Sequence, residues 1–262
     1  MKLKGKAMLL AVDIGNTDTT LGVFENEELR ATWHMATVIH RMVDEYAALL
    51  LNLLHHQGLD KSDVSEVALC SVVPPLTATF EELFQRYFHI SSLVVGAGVK
   101  TGVRICMDNP REVGADRIVN AAAAHYLYRG PIIIVDLGTA TTFDTVSKEG
   151  DYLGGAIAPG INTAAEALFT QAAMLPRVEL IHPKQAIGTN TIAAMQSGIV
   201  FGYVGLVEGV VARIQQELGE KAKVVATGGY AELIAKETTV IDEVNPDLTL
   251  VGLRLIYLMN KV

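Results

Sequence analysis

Two segments of this 262-residue chain carry the same order of residues, and that repeat constrains the fold more than any other feature. Met8 to Val12 is a short apolar run of strand length that ends at Asp13-Ile14-Gly15-Asn16-Thr17. Thr19 to Phe24 then returns to strand-like composition, and Glu25 to Glu28 marks a turn into a third strand, Glu28 to His34. Ile132 to Val135 repeats the buried run and ends at Asp136-Leu137-Gly138-Thr139-Ala140-Thr141-Thr142. Strand-like Phe143 to Ser147, a turn at Lys148 to Asp151 and a third strand, Tyr152 to Ile157, follow it. Apolar runs of strand length bounded by glycine and small polar residues are the signature of hairpins. Asp13 and Asp136 stand 123 positions apart, close to half the chain, which predicts an internal duplication of a small α/β domain. No Ser/Gly/Pro-rich linker separates the halves, so the expectation is a shared interface and a cleft.

Apolar residues at helical spacing predict helices over 43–56, 76–87, 113–128, 164–173, 191–216, 231–236 and 248–260. Further strands are expected at 66–73, 92–95 and 224–226. Half of the residues are apolar and 19% are charged, enough to bury a substantial core. The net charge of −8 and the absence of a long Lys/Arg cluster disfavour a nucleic-acid or membrane-surface role, because phosphate backbones attract concentrated positive charge. Cys70 and Cys106 lack Cys-x-x-Cys spacing and read as free, mostly buried thiols of a reducing cytosol. The start of the chain faintly resembles a signal peptide, but its apolar run stops at Asp13 without a cleavage site. No stretch approaches about 18 uninterrupted apolar residues, so no transmembrane helix is expected and the location predicted is cytoplasmic.

The two turns carry the chemistry. Gly15 and Gly138 remove side-chain bulk so that backbone N–H groups can approach phosphate oxygens, and Thr17 and Thr139 add hydroxyl donors. A carboxylate facing a polyphosphate is repulsive without a cation between them, so Asp13 and Asp136 imply a metal ion held directly or through water. Two ordinary hairpin turns are the alternative. There is no Gly-x-x-x-x-Gly-Lys-Ser/Thr loop, and no Gly-x-Gly-x-x-Gly opens a helix after a strand. Thr227-Gly228-Gly229-Tyr230 either admits an adenine or ribose or is a tight connection. The histidines are scattered and Ser197 lacks the frame of a nucleophile elbow, which leaves it as a helix-packing residue.

Several motifs, in order along almost the whole chain, resemble one family. They are Asp13 to Thr17, Asn109-Pro110 before Gly114-Ala115-Asp116-Arg117, Asp136 to Thr142, Gly154-Gly155, and Pro159-Gly160-Ile161. Asn190-Thr191 before Met195-Gln196-Ser197-Gly198, and Thr227-Gly228-Gly229, complete the set. Together they look like type III pantothenate kinase. The resemblance implies an α/β chain of duplicated actin-like (ribonuclease H-like) domains, taken as 1–125 and 126–262, with a nucleotide cleft between them. It implies transfer of phosphate from ATP to the 4′-hydroxyl of pantothenate, the first step of coenzyme A synthesis.

By that resemblance Asp116 is the general base, and Gly114, Ala115, Arg117 and Thr191 contact pantothenate. Asp13, Ile14, Gly15, Asn16, Thr17, Asp18, Thr19 and Thr20 form the first ATP-phosphate motif, and Thr139 belongs to the second. Asp136 matches the ligand of a monovalent cation, K⁺ or NH₄⁺, and family members are homodimers with the substrate pocket near the interface. Phosphoryl transfer is mostly alignment and charge neutralisation, so a site without a P-loop lysine needs Mg²⁺, with Asp13 as its water-mediated ligand, plus the monovalent cation. The start of a helix favours a negative charge at Asp116. Arg117 could bind the substrate carboxylate or pair with Asp116. Two other readings keep the fold: a kinase or ATP hydrolase acting on another small molecule, and an accessory transcription regulator with little kinase activity. Intact Asp13, Asp116 and Asp136 argue against the second.

Overall fold

The computed structural model describes residues 7–261. Residues 1–6 lie outside the described residues, while the apolar run behind the faint likeness to a signal peptide falls in the first strand, Met8–Ile14. Two compact units emerge: the described parts of Met1–Gly102, Arg111–Ala123 and Thr249–Val262, and Val103–Pro110 with Ala124–Leu248.

In the first unit, strands β1 (Met8–Ile14), β2 (Asp18–Glu25) and β3 (Glu28–Ala36) form an antiparallel meander. Strand β4 (Val64–Ser71) runs parallel to β1 and β5 (Leu93–Val94) parallel to β4, giving the order β3-β2-β1-β4-β5. Alternation assigns Leu10, Val12, Ile14, Leu21, Val23, Val67 and Leu69 to one face. That face packs on helices α1 (Val43–His56) and α2 (Pro74–Leu83) through Tyr46, Leu50, Leu76 and Phe80. Prolines 74 and 75 open α2, where a missing N–H costs nothing. A π-helical turn, Phe84–Phe88, extends it.

The opposite face carries small residues, Ala11, Gly22, Ala68 and Cys70, because other helices approach it closely. A Cβ on Gly22 would lie 2.7 Å from Cδ1 of Leu250 in helix α7 (Leu248–Asn260). Gly252 of α7 in turn abuts the Val119 carbonyl of helix α3 (Ala115–Leu127).

The second unit repeats the plan. Strands β7 (Ile132–Leu137), β8 (Ala140–Val146) and β9 (Asp151–Pro159) form the meander, and β10 (Lys223–Thr227) and β11 (Glu243–Val244) continue it in parallel. The two-residue strand β6 (Arg104–Ile105) adds an edge beside β9. The order β11-β10-β7-β8-β9-β6 is therefore the first sheet's order with one strand added. Ile133, Val135, Leu137 and Phe143 pack against α5 (Thr191–Leu218), with α4 (Ile161–Gln171) and α6 (Ala231–Ala235) beside it.

Helix α5 is long and apolar enough, by length and composition alone, to cross a membrane, although polar residues such as Gln196, Ser197 and Glu208 interrupt its apolar run. Its residues Ile199, Val200, Val207 and Val211 are buried in the core of the second unit, so it serves as a core helix.

Candidate active site

In the first unit the Asp13 turn, Cys70 and the Gly114–Arg117 motif converge. Asp13 is half-buried at the end of β1, and the glycine after Ile14 closes the turn as Gly15 N–H donates to the Asp18 carbonyl at 3.0 Å. Thr37 braces the turn from β3's end: its hydroxyl donates to the Gly15 carbonyl at 2.8 Å and meets the buried Thr19 hydroxyl at 2.9 Å. Asn16, Thr17 and Asp18 are left exposed at the tip, while Ile14 is a core residue and Thr20 meets His34 Nδ1 at 3.2 Å.

Parallel pairing of β1 with β4 sets Cys70 beside Asp13. Burial, then the charges of Asp13 and Asp116 and a hydrogen bond to Asp13, push the Cys70 thiol well above its usual range. Asp116 stands in the first turn of α3, half-buried, with its Oδ1 accepting from the Arg117 backbone N–H at 2.8 Å. Its carboxylate lies over Gly114, in space a Cβ there would fill, which is the physical reason for glycine at that position. Ala115 opens the helix, and the half-buried Arg117 follows Asp116.

The second unit holds the other turn. Gly138 N–H donates to the Ala140 carbonyl at 3.1 Å, and the half-buried Asp136 is flanked by glycines. A Cβ on Gly138 would lie 3.4 Å from Asp136 Oδ1, and one on Gly228 only 2.6 Å away. Gly228 has φ +90°, a backbone region that glycine alone occupies without strain. The Thr227-Gly228-Gly229 segment is thus a wall around Asp136. Thr139 is exposed, its carbonyl accepting from Thr163 Oγ1 at 2.9 Å and pressed against Gly160. Behind the turn lies a residue the sequence reading missed. Asp144 is fully buried and accepts from Tyr152 OH at 2.6 Å and Thr142 Oγ1 at 2.9 Å. The signal was a carboxylate in the middle of an otherwise buried strand.

Thr191 is the first residue of α5, after an Asn190 cap whose Oδ1 accepts from Ala193 N–H at 2.9 Å. It rims a largely apolar cavity of about 870 Å³ between α4 and α5, with Ala164, Met195, Gly198 and Tyr203. Pro159, the neighbour of Gly160, also lines it, linking the cavity wall to Thr139 within this unit. Ser197 donates to the Ala186 carbonyl at 2.6 Å and is a packing residue, as expected. Cys106 corrects the expectation of two buried thiols: it is exposed, because it follows a two-residue edge strand.

Among the described residues no group of three or more His, Cys, Asp or Glu side chains could hold a metal ion. Any ion here would be held by single carboxylates together with backbone, water or phosphate oxygens, a donor set that suits Mg²⁺ or K⁺ rather than zinc. Asp13 and the glycine-walled Asp136 fit that requirement.

A model of the type III pantothenate kinase family matches residues 9–213. The chain belongs to this family. A type III pantothenate kinase of Dehalococcoides mccartyi (strain CBDB1) is 63% identical over 254 residues, covering 97% of each chain. Among solved structures, a candidate Baf-family transcriptional activator from Campylobacter jejuni superposes with a TM-score of 0.61 at 19% identity, covering 96% of this chain and 98% of that one. An inorganic polyphosphate/ATP-glucomannokinase from Arthrobacter sp. strain KM gives 0.51 at 12% identity, covering 97% and 99%. At such identities these two likenesses speak to the actin-like fold alone. The type III pantothenate kinase match spans both Asp-x-Gly turns, the Gly114–Arg117 motif and Thr191.

Proposed function

We propose that the chain transfers the γ-phosphoryl group of ATP to the 4′-hydroxyl of pantothenate, with Asp116 as the general base. Membership of the type III pantothenate kinase family carries the reaction, and the meeting of Asp116 with Asp13 around Cys70 supports the roles. Asp116 takes the alcohol proton while Gly114, Ala115, Arg117 and Thr191 hold pantothenate. The first turn, from Asp13 through Ile14, Gly15, Asn16, Thr17, Asp18 and Thr19 to Thr20, and Thr139 of the second, hold the ATP phosphates. Asp13 would hold Mg²⁺ through water and Asp136 a K⁺ or NH₄⁺ ion; when bound, these ions neutralise charge on the transferring group. The halves 1–125 and 126–262 would act as the two duplicated domains, in the cytoplasm.

We place the second copy of a homodimer against the cavity face of the second unit. Ile157, Ile187 and Ile192 are 67%, 81% and 50% exposed there, and Gly198 and Gly202 of α5 leave open space for close approach. Exposed apolar surface of this kind marks contact sites.

The deciding experiment is a coupled ADP-release assay with pantothenate and control alcohols. Asp116→Asn should lower turnover by about a hundredfold or more with nucleotide binding retained. Turnover like that of the wild type would remove Asp116 as the base, and product from another alcohol but not pantothenate would remove the substrate.

A further inference from the structure

Cys70 lies on the same face of β4 as Ala68, where packing against neighbouring helices calls only for a small side chain. It is fully buried, stands in parallel register beside Asp13, and is hydrogen-bonded to it. Asp116, in the first turn of α3, adds a second negative charge that bears on the same thiol. A thiol in that position offers a neutral donor, small enough for the layer and able to keep one oxygen of Asp13 engaged. Alanine would fill the layer without fixing the carboxylate.

We propose that Cys70 is a positioning residue for phosphoryl transfer: its S–H holds one oxygen of Asp13 and keeps that carboxylate turned away from Asp116, leaving the other oxygen toward the nucleotide. The inference rests on the reading of Asp13 as a residue of the Mg·ATP site. A hydrogen bond from sulfur is weak between neutral groups but gains from a charged acceptor.

The chain has two cysteines, so a Cys106→Ser background leaves Cys70 as the single thiol. Its S–H stretching band in the infrared, read on the protein without nucleotide, should shift when Asp13→Asn removes the charged acceptor. Mg·ATP binding by calorimetry separates donor from packing. Cys70→Ser, which keeps a donor, should bind within about twofold of the background protein, whereas Cys70→Val and Cys70→Ala should bind about tenfold more weakly, with KM for pantothenate unchanged. Wild-type affinity in Cys70→Val and Cys70→Ala, alongside weakened binding in Asp13→Asn, overturns the role of Cys70 alone. Unchanged affinity in Asp13→Asn overturns the reading of Asp13 as well. If Cys70→Val does not fold, the infrared comparison still decides, and an unmoved band refutes the contact.

Discussion

Gly228 tests whether the wall around Asp136 is real. An alanine there meets two separate obstacles. The backbone sits at φ +90°, and a Cβ would come within 2.6 Å of Asp136 Oδ1 and within 2.7 and 2.8 Å of the backbone C and N of Leu137. The carboxylate can swing away. Leu137 cannot, because it is fully buried in β7 and paired with Thr141. Left-handed backbone costs about 1–2 kcal/mol and overpacking about 1–3 kcal/mol, so Gly228→Ala should destabilise the protein by about 2–5 kcal/mol. A loss of that size lowers Tm by about 5–15 °C in a chain of this length.

The neighbouring glycine supplies the control. A Cβ on Gly229 meets nothing within 4 Å, so Gly229→Ala should unfold within about 0.5 kcal/mol of wild type. Urea and thermal unfolding of the two variants should differ clearly. Because the new methyl displaces the Asp136 carboxylate, the surviving folded Gly228→Ala protein should also lose its stimulation by K⁺ over Na⁺. Equal stability of the two variants, or undiminished K⁺ stimulation in Gly228→Ala, would refute the reasoning.

Three other outcomes follow from the geometry. Gly252→Ala drives a Cβ into the Val119 carbonyl, so it should part α7 from α3 and cost about 1–3 kcal/mol in urea unfolding, whereas a neutral change would deny the close approach. The Lys223 ammonium, 2.7 Å away, and then the Tyr128 hydroxyl hold Glu243 below its ordinary value of 4.5. That network stabilises the fold above the unfolded value and fades as pH falls through the depressed folded one, so Glu243→Gln should flatten the acid-side loss of urea midpoint. Ile187→Asp should weaken self-association on the exposed α5 side, read as a shift toward monomer in sedimentation at fixed concentration.

Much of the fold was legible because its signals are local. Met8–Ile14 and Ile132–Leu137 are buried on both faces and each stops at a glycine turn, so an apolar run and its punctuation sufficed. Strands β6 and β11 were not legible, since two ladder residues carry no alternation. The Phe84–Phe88 turn was read as plain helix because its aromatic spacing differs little from an α-helical one. At the site, Asp13, Asp116 and Asp136 stood out by motif, but the contact of Cys70 with Asp13 depends on parallel register between β1 and β4. Strands β2 and β3 and helix α1 lie between those strands in the chain, and no local pattern encodes which residues come abreast. Asp144 was hidden for a related reason: Thr142 is its neighbour along β8, but Tyr152 comes within reach only when β8 and β9 pair.

Duplicated hairpins need not yield equivalent sites, and the register explains how these two diverge. Between β1 and β2 the turn holds three residues, 15–17, whereas between β7 and β8 it holds two, 138 and 139. The shorter turn puts Thr139 where the longer one has Asn16 and carries its carbonyl against Gly160 and Thr163. The surroundings of the aspartates diverge further. Asp13 faces a buried thiol with a second carboxylate beyond it, so its neighbourhood already holds negative charge and a proton donor. Asp136 faces Gly228 and Gly138, which contribute backbone and space but no charge. A divalent ion shared with phosphate oxygens, as proposed for Asp13, would suit the first environment, and the monovalent ion proposed for Asp136 would meet glycine backbone and open space in the second. The same turn, longer by a residue in one copy and walled by glycine in the other, thereby sets its aspartate in two different electrostatic surroundings.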